Sequence, residues 1–179
     1  MEFPRSSLTI LKGILNGYNR PLFPQKMLDK SLTEFLEQGL AIHIGTRNGR
    51  MQPNGCRVTA VRVEEQGRHL VAFLPQAATA AVLDDLRSNG QAALSFVRPT
   101  DDRAVQVKGE FISARDADPA EEEFVLGQWQ ALLTELDVIG LAPLTSTSTW
   151  LLWPCVAVTI RVTTVFSQTP GPEAGSVLS

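Results

Sequence analysis

Cysteine is scarce in this 179-residue chain. Its two residues, Cys56 and Cys155, lie far apart and in no ligand spacing. A disulfide framework and a zinc knuckle are therefore not expected, and a reducing cytoplasm is the expected compartment. Histidine is equally rare. His43 and His69 both fall in strand-like patterns, where an outward or hydrogen-bonded strand residue is the plain reading, and a metal site would need carboxylate partners that no spacing supplies. Long apolar runs are missing too. The longest, from Trp150 to Val158, is interrupted by Pro154, whereas a bilayer span takes roughly 20 apolar residues. Glu2, Pro4, Arg5 and Lys12 break up the opening residues, so no secretory leader is expected. Positive charge is not in surplus: 16 Lys+Arg stand against 19 Asp+Glu, a formal net charge of -3. A general nucleic-acid-binding surface, which needs clustered cations, is not expected. Glycine-rich dinucleotide and phosphate loops, a His-Glu-x-x-His helix and a nucleophile elbow are also absent.

What remains is an ordinary globular composition, 44% hydrophobic and 20% charged, enough apolar surface to offset chain entropy in one domain. Residues 1–25 read as an arm, since Pro21 and Pro24 stop any regular element. The spacing of Leu28, Leu32 and Phe35 predicts a helix over Gln25–Gln38, stopped by Gly39. Strands are predicted at Leu40–Thr46, Arg57–Val63 and His69–Leu74, the last two joined through Gln66-Gly67. A helix over Ala77–Asn89 closes at Gly90, and strands follow at Ala92–Val97 and Arg103–Ala114. Asp118, Pro119 and Glu121 form an N-terminal capping signal for a helix whose stripe is Val125, Trp129, Leu132, Leu136 and Ile139. A Ser/Thr-rich loop over 141–149 leads to a last strand in which Val156, Val158, Ile160 and Val162 alternate. Short turns favour antiparallel pairing. The expected class is α+β: a mainly antiparallel, six-stranded split β-barrel with peripheral helices. The domain plan is an arm at 1–25, a barrel domain at 26–166 and a Pro/Gly-rich tail at 167–179.

Among residues that can carry chemistry, Arg57 and Arg62 flank one strand, and Gln106 and Lys108 share a face of another. Arginine supplies forked donors for phosphate, and glutamine both donates to and accepts from the edge of a heterocycle. On spacing alone a solvated strand face is the plainer reading. Arg57 and Arg62 also have opposite parity, so they share a face only across a bulge or strong twist. Trp129 is explained by helix packing, and Trp150 and Trp153 by an interior or interface position.

The order of elements and several strings resemble the pyridoxamine 5′-phosphate oxidase-related, FMN-binding split-barrel family, over roughly residues 35–170. Arg57-Val58-Thr59-Ala60-Val61-Arg62 is similar to that family's Arg-x-x-x-x-Lys/Arg strand, whose two cations contact the phosphate of FMN. Ala104-Val105-Gln106-Val107-Lys108-Gly109 is similar to the strand whose glutamine reaches the isoalloxazine ring. The resemblance implies a homodimer with FMN at the subunit interface and a cofactor-binding set of Arg57, Val58, Thr59, Arg62, Thr79, Gln106 and Lys108. The departure is a Thr79-Ala80-Ala81 stretch where oxidase members have a Ser-Arg-Lys segment. Two phosphate-binding cations are thus lost, with Lys108, Arg103, Arg98 or backbone amides of a partner subunit as replacements. Oxidation of vitamin B6 itself is not expected; a flavin-dependent oxidoreductase of unassigned substrate is. No residue stands out as a general acid or base, which also suits a non-enzymatic barrel binding haem, another heterocycle or nothing. A deazaflavin-dependent reductase is a third option. The tail Ser167-Gln168-Thr169-Pro170-Gly171-Pro172 reads as a rigid flap over the ligand site rather than a solvated terminus.

Overall fold

The computed structural model describes residues 28–141 and 152–178. The arm at 1–25, the first residues of the helix expected from Gln25, nearly all of the loop at 141–149 and Trp150 lie outside the described residues. Helix α1 (Lys30–Leu36) begins where the Asp29 carboxylate accepts the Leu32 amide at 2.7 Å. Leu32, Phe35 and Leu36 are its buried side. Helix α2 (Ala80–Asn89) follows a short 3-10 turn, Gln76–Ala78, and stops at Gly90, whose φ of 71° is left-handed. Helix α3 (Glu122–Val138) is entered through a 3-10 turn, Pro119–Glu121, and the expected capping box forms in full around Asp118 and Glu121. Its buried side is Val125, Gln128, Trp129 and Leu132, while Ile139 lies exposed beyond the helix end.

Seven strands form one antiparallel sheet: β1 (Ala41–Arg47), β2 (Pro53–Val58), β3 (Ala60–Glu64), β4 (His69–Pro75), β5 (Gln91–Val97), β6 (Ala104–Asp116) and β7 (Cys155–Ser167). Their order is β2-β1-β5-β6-β7-β4-β3. The class is the expected α+β split barrel, but with seven strands rather than six, because Arg57–Val63 is two strands. β2 pairs with β1 and β3 with β4, and they meet at Thr59, whose amide donates to Phe73 O at 2.8 Å. The first and last strands in the pairing order are therefore one residue apart in the chain, and the sheet curls until they meet.

Ile42, Ile44, Val58, Val61, Leu94, Phe96, Val107 and Ile160 fill the interior, joined by Phe35 from α1 and by Val82 and Leu86 from α2. Helix α3 lies outside the barrel. Its Val125 joins a second cluster with Ala60, Val71, Phe73 and Ala157. Gln128 fastens it to β3: its amide oxygen accepts from Val61 N at 2.9 Å, and its nitrogen donates to Val61 O at 2.8 Å. On the outer face α3 reaches β2, where Trp129 lies against Arg57, while His43 and Gly45 of β1 are exposed.

The tail folds back on its own strand. Leu178 N donates to Val165 O at 2.9 Å, Gly175 N to Ser167 O at 2.7 Å, and Phe166 bridges Val177. Thr169 Oγ1 accepts the Ala104 amide at 3.0 Å, tying the tail to the start of β6 as well.

Candidate functional site

Interior residues of β1, β2, β5 and β6 are apolar apart from Thr46 and Asn54, which both donate to Asp85 at 2.8 Å, so by strand alternation their neighbours point outward. Register then decides which outward residues meet. His43 stands opposite Arg57 on one side and Ser95 on the other; Ser95 pairs with Gln106, and Gln106 with Phe166. Arg57, His43, Ser95, Gln106 and Phe166 thus form one row across five strands, and the bridged Val177 of the tail extends it. The adjacent row is Gly55, Gly45, Ala93, Lys108 and Thr164. Three side chains of one carbon or none leave a flat shelf beside the polar row. Lys108 Nζ lies 4.9 Å from the centroid of the Phe166 ring. From the Arg57 column to the Gln106 column is three strand spacings, roughly 14 Å.

Arg57 is half-buried, with its guanidinium 5.5 Å from the Trp129 ring centroid. Burial pulls its pKa below the ordinary value, because the charged form gives up solvent. His43 is held below its ordinary value as well, first by the desolvation of the ring against the sheet and second by the positive charge of Arg57. The imidazole is therefore neutral at pH 7 and offers one donor and one acceptor.

Strand break and parity resolve together. Val58 and Val61 both point into the core, three residues apart, so Thr59 supplies the extra residue that a regular strand lacks. Arg57 and Arg62 consequently share the outer face, against α3. Their surroundings differ. Arg62 donates to Glu121 Oε1 at 3.1 Å, and its guanidinium lies 4.5 Å from the Phe124 ring centroid and 5.5 Å from that of Phe73. Arg115 donates to both oxygens of the same carboxylate, at 2.7 and 2.9 Å. Arg62 thus fastens the start of α3 to the barrel and stands outside the row.

The other expected residues are dispersed. Val58 is buried in the core, so only its backbone can reach a ligand. Thr59 is buried beside the Cys155 thiol, and its hydroxyl meets no partner in hydrogen-bond geometry; the thiol donates to Leu152 O at 3.0 Å. Thr79 is buried at the start of α2 and donates to Gln76 O at 3.3 Å. It borders an open groove of about 550 Å³ between α2 and the far end of β6, lined also by Leu83, Arg87, Arg115 and Val156. Both guanidiniums there already have carboxylate partners, Asp84 for Arg87 and Glu121 for Arg115, and the groove includes neither Arg57 nor Gln106. Arg98 and Arg103 stack on Phe35, 5.6 and 4.1 Å from its centroid, which commits them elsewhere. Of the named replacement side chains, only Lys108 borders the row. Both thiols are pushed up to about 11 by burial, so neither is a nucleophile at neutral pH. His43 and Ser95 were not among the expected site residues. An outward histidine on the strand paired with Arg57 is the signal that could have found the first.

No family model and no curated protein matches the chain. Solved structures do. A protein described as an F420 reductase is 18% identical with a TM-score of 0.52, over 77% of this chain and 98% of its own. HupZ of Group A Streptococcus is 13% identical with a TM-score of 0.50, over 83% of this chain and 100% of its own. A Lactobacillus delbrueckii protein, described provisionally as a pyridoxamine 5′-phosphate oxidase, is 12% identical with a TM-score of 0.50, over 81% of this chain and 97% of its own. At these identities the likeness is one of fold, and the fold is the split barrel that the sequence resemblance implies.

Proposed function

We propose that this chain is a flavin-binding split-barrel protein that takes FMN on the outer sheet face, between two copies of itself, and serves as a flavin-dependent oxidoreductase. One observation carries the reading: register sets Arg57 and Gln106 in a single row beside a shelf of Gly45, Gly55 and Ala93. The residues fit the group. A flat ring system needs a floor without protruding side chains, an amide at its edge and a cation at the far end of its phosphate chain. Arg57 would hold the phosphate, with a forked donor whose desolvation already favours an anionic partner. Gln106 would orient the ring through its edge, and Lys108 and Phe166 would border it. The same face on a second copy would exclude water from the ring, since an isologous dimer presents one patch twice. When bound, FMN supplies hydride or electron transfer; the chain's own part is binding, orientation and exclusion of water.

An absorption spectrum of the purified protein between about 350 and 500 nm, the window that reports such a cofactor, followed by titration with FMN, tests the reading. Arg57→Ala is expected to weaken FMN binding about tenfold to a hundredfold, the worth of one charge-assisted contact. A colourless protein that FMN does not titrate sinks the proposal. A specific observation supports a rival: Arg62 and Thr79, two of the cofactor-binding residues implied by the resemblance, are engaged within the fold, with Glu121 and with Gln76 O. A barrel that holds another heterocycle, or none, without redox chemistry follows if the spectrum is not that of a flavin. Turnover of a reduced deazaflavin would mark the third reading.

A further inference from the structure

We infer that His43 is a ligand-contacting residue of this site, holding the anionic end beside Arg57 and taking up a proton as the anion binds. The inference rests on the flavin reading for the name of the ligand but not for the chemistry of the anion. Losing the Ser-Arg-Lys cations leaves a phosphate with too few donors. Thr79, which stands in that stretch, is turned to Gln76 O. Arg62 is engaged with Glu121, and Lys108 stands three strands away from Arg57, in the adjacent row. The residue that does stand beside Arg57 is His43, its direct register partner on the adjacent strand. Directly opposed residues of an antiparallel pair have Cβ atoms roughly 4.5–5.5 Å apart, so a guanidinium and an imidazole there can share one phosphate. His43 is exposed, with Gly45 next to it along the strand on the same face, while Arg57 beside it lies against Trp129 of α3.

The surroundings define the proton linkage. From β2, the charged group facing His43 is Arg57; from β5 the facing residue is Ser95, which is uncharged; along β1 the outward neighbours are Ala41 and Gly45. No carboxylate stands in register with it among the described residues. A dianion between His43 and Arg57 reverses the sign of the local field, and the imidazolium becomes the favoured form. The histidine then donates to phosphate as a cation, and the proton comes from solvent. Binding must therefore tighten as pH falls, over and above the ligand's own titration.

Imidazole signals of the full chain, followed by NMR across the pH range in which histidine titrates, test this directly. The sequence has 2 histidines, so His43→Gln assigns them and His69 serves as internal control. FMN is expected to raise the His43 pKa by about one unit or more, and to bind wild type about tenfold more tightly than His43→Gln at the acid end of the range. Comparison with His43→Gln cancels the titration of the phosphate itself. Saturating inorganic phosphate should move His43 the same way, and riboflavin, which lacks phosphate, should leave it in place. His43→Arg should bind FMN tightly with the pH dependence of the linkage removed. FMN bound with the His43 pKa unmoved overturns the inference and leaves the flavin reading standing. Phosphate that moves His43 in a protein that ignores FMN upholds it and removes the flavin reading. No response to either anion overturns it.

Discussion

Among the described residues, Glu121 gathers the densest set of side-chain polar contacts. Its carboxylate accepts from Arg62, from Arg115 and from the Asp118 amide. Hydrogen bonding by Arg115 is the largest cause holding its pKa at about 2, against an ordinary 4.5, and burial opposes it. A folded-state pKa below the unfolded one stabilises the fold fully above the unfolded value and loses that contribution as pH falls toward 2. The carboxylate is mostly shielded, so the contribution is on the order of 2–3 kcal/mol at pH 7. Glu121→Gln should therefore unfold more easily than wild type at neutral pH, and the two denaturation midpoints should converge on acidification through that window. Parallel midpoints at all pH values would contradict the assignment. Thr59 makes the opposite case. Its buried hydroxyl has no partner, so Thr59→Val keeps the shape and removes a desolvation cost. Urea titration should show unchanged or raised stability, by up to about 1 kcal/mol; a marked loss would reveal a hidden partner.

Elements show where patterns in the chain were legible and where they were not. The cap that opens helix α3 could be read at Asp118, because Asp118, Pro119 and Glu121 act through contacts within one turn, although that turn is 3-10 and the α-helix itself starts at Glu122. The single strand expected over Arg57–Val63 could not be resolved into two. Alternation is regular on each side of Thr59, and the break is imposed by pairing with different partners, β1 and β4, which no local spacing reports. The last strand was expected near Val156–Val162 but continues to Ser167, because β6 is long enough to pair with all of it through two irregularities, at Lys108/Gly109 and Phe111/Ser113. Gly109 sits at the first. A Cβ there would lie 2.4 Å from Ile160 Cγ2 and 2.5 Å from Arg161 O. Gly109→Val is expected to cost about 1–3 kcal/mol by overpacking and to shift the β6 register next to Lys108. Guanidinium unfolding reads the first effect and amide exchange along β6 the second. A variant as stable as wild type would mean that the strands separate there at no cost.

The whole molecule explains why the site was only half legible. Arg57, Gln106 and Lys108 were within reach because each has a sequence neighbourhood that resembles a known strand. His43 meets Arg57, and Ser95 meets Gln106, through pairings of neighbouring strands, but the two halves of the row join only through β1 with β5, segments about fifty residues apart, whose pairing exists only once the barrel is assembled. The tail also acquires its place only in the assembled molecule. It was expected as a flap, and it is bound to Val165, Ser167 and Ala104 through backbone hydrogen bonds, leaving Val177 beside Phe166. Truncation after Ser167 should lower stability by on the order of 1–3 kcal/mol, with faster amide exchange at Ser167. Unchanged exchange would show that the tail is loose in solution. The closure at Thr59 has one further consequence. β2 and β3 are the two strands of this sheet with an unpaired side, and they adjoin at Thr59. Gln128 already occupies the exposed peptide of Val61 there. The free edge of β3 is thus closed from two helices, by Gln128 of α3 at Val61 and by Glu37 at the end of α1 at Val63, so a lesion that lifts α3, even one that leaves the barrel folded, should open an edge to which another chain can add a strand and turn this protein toward fibrous self-association.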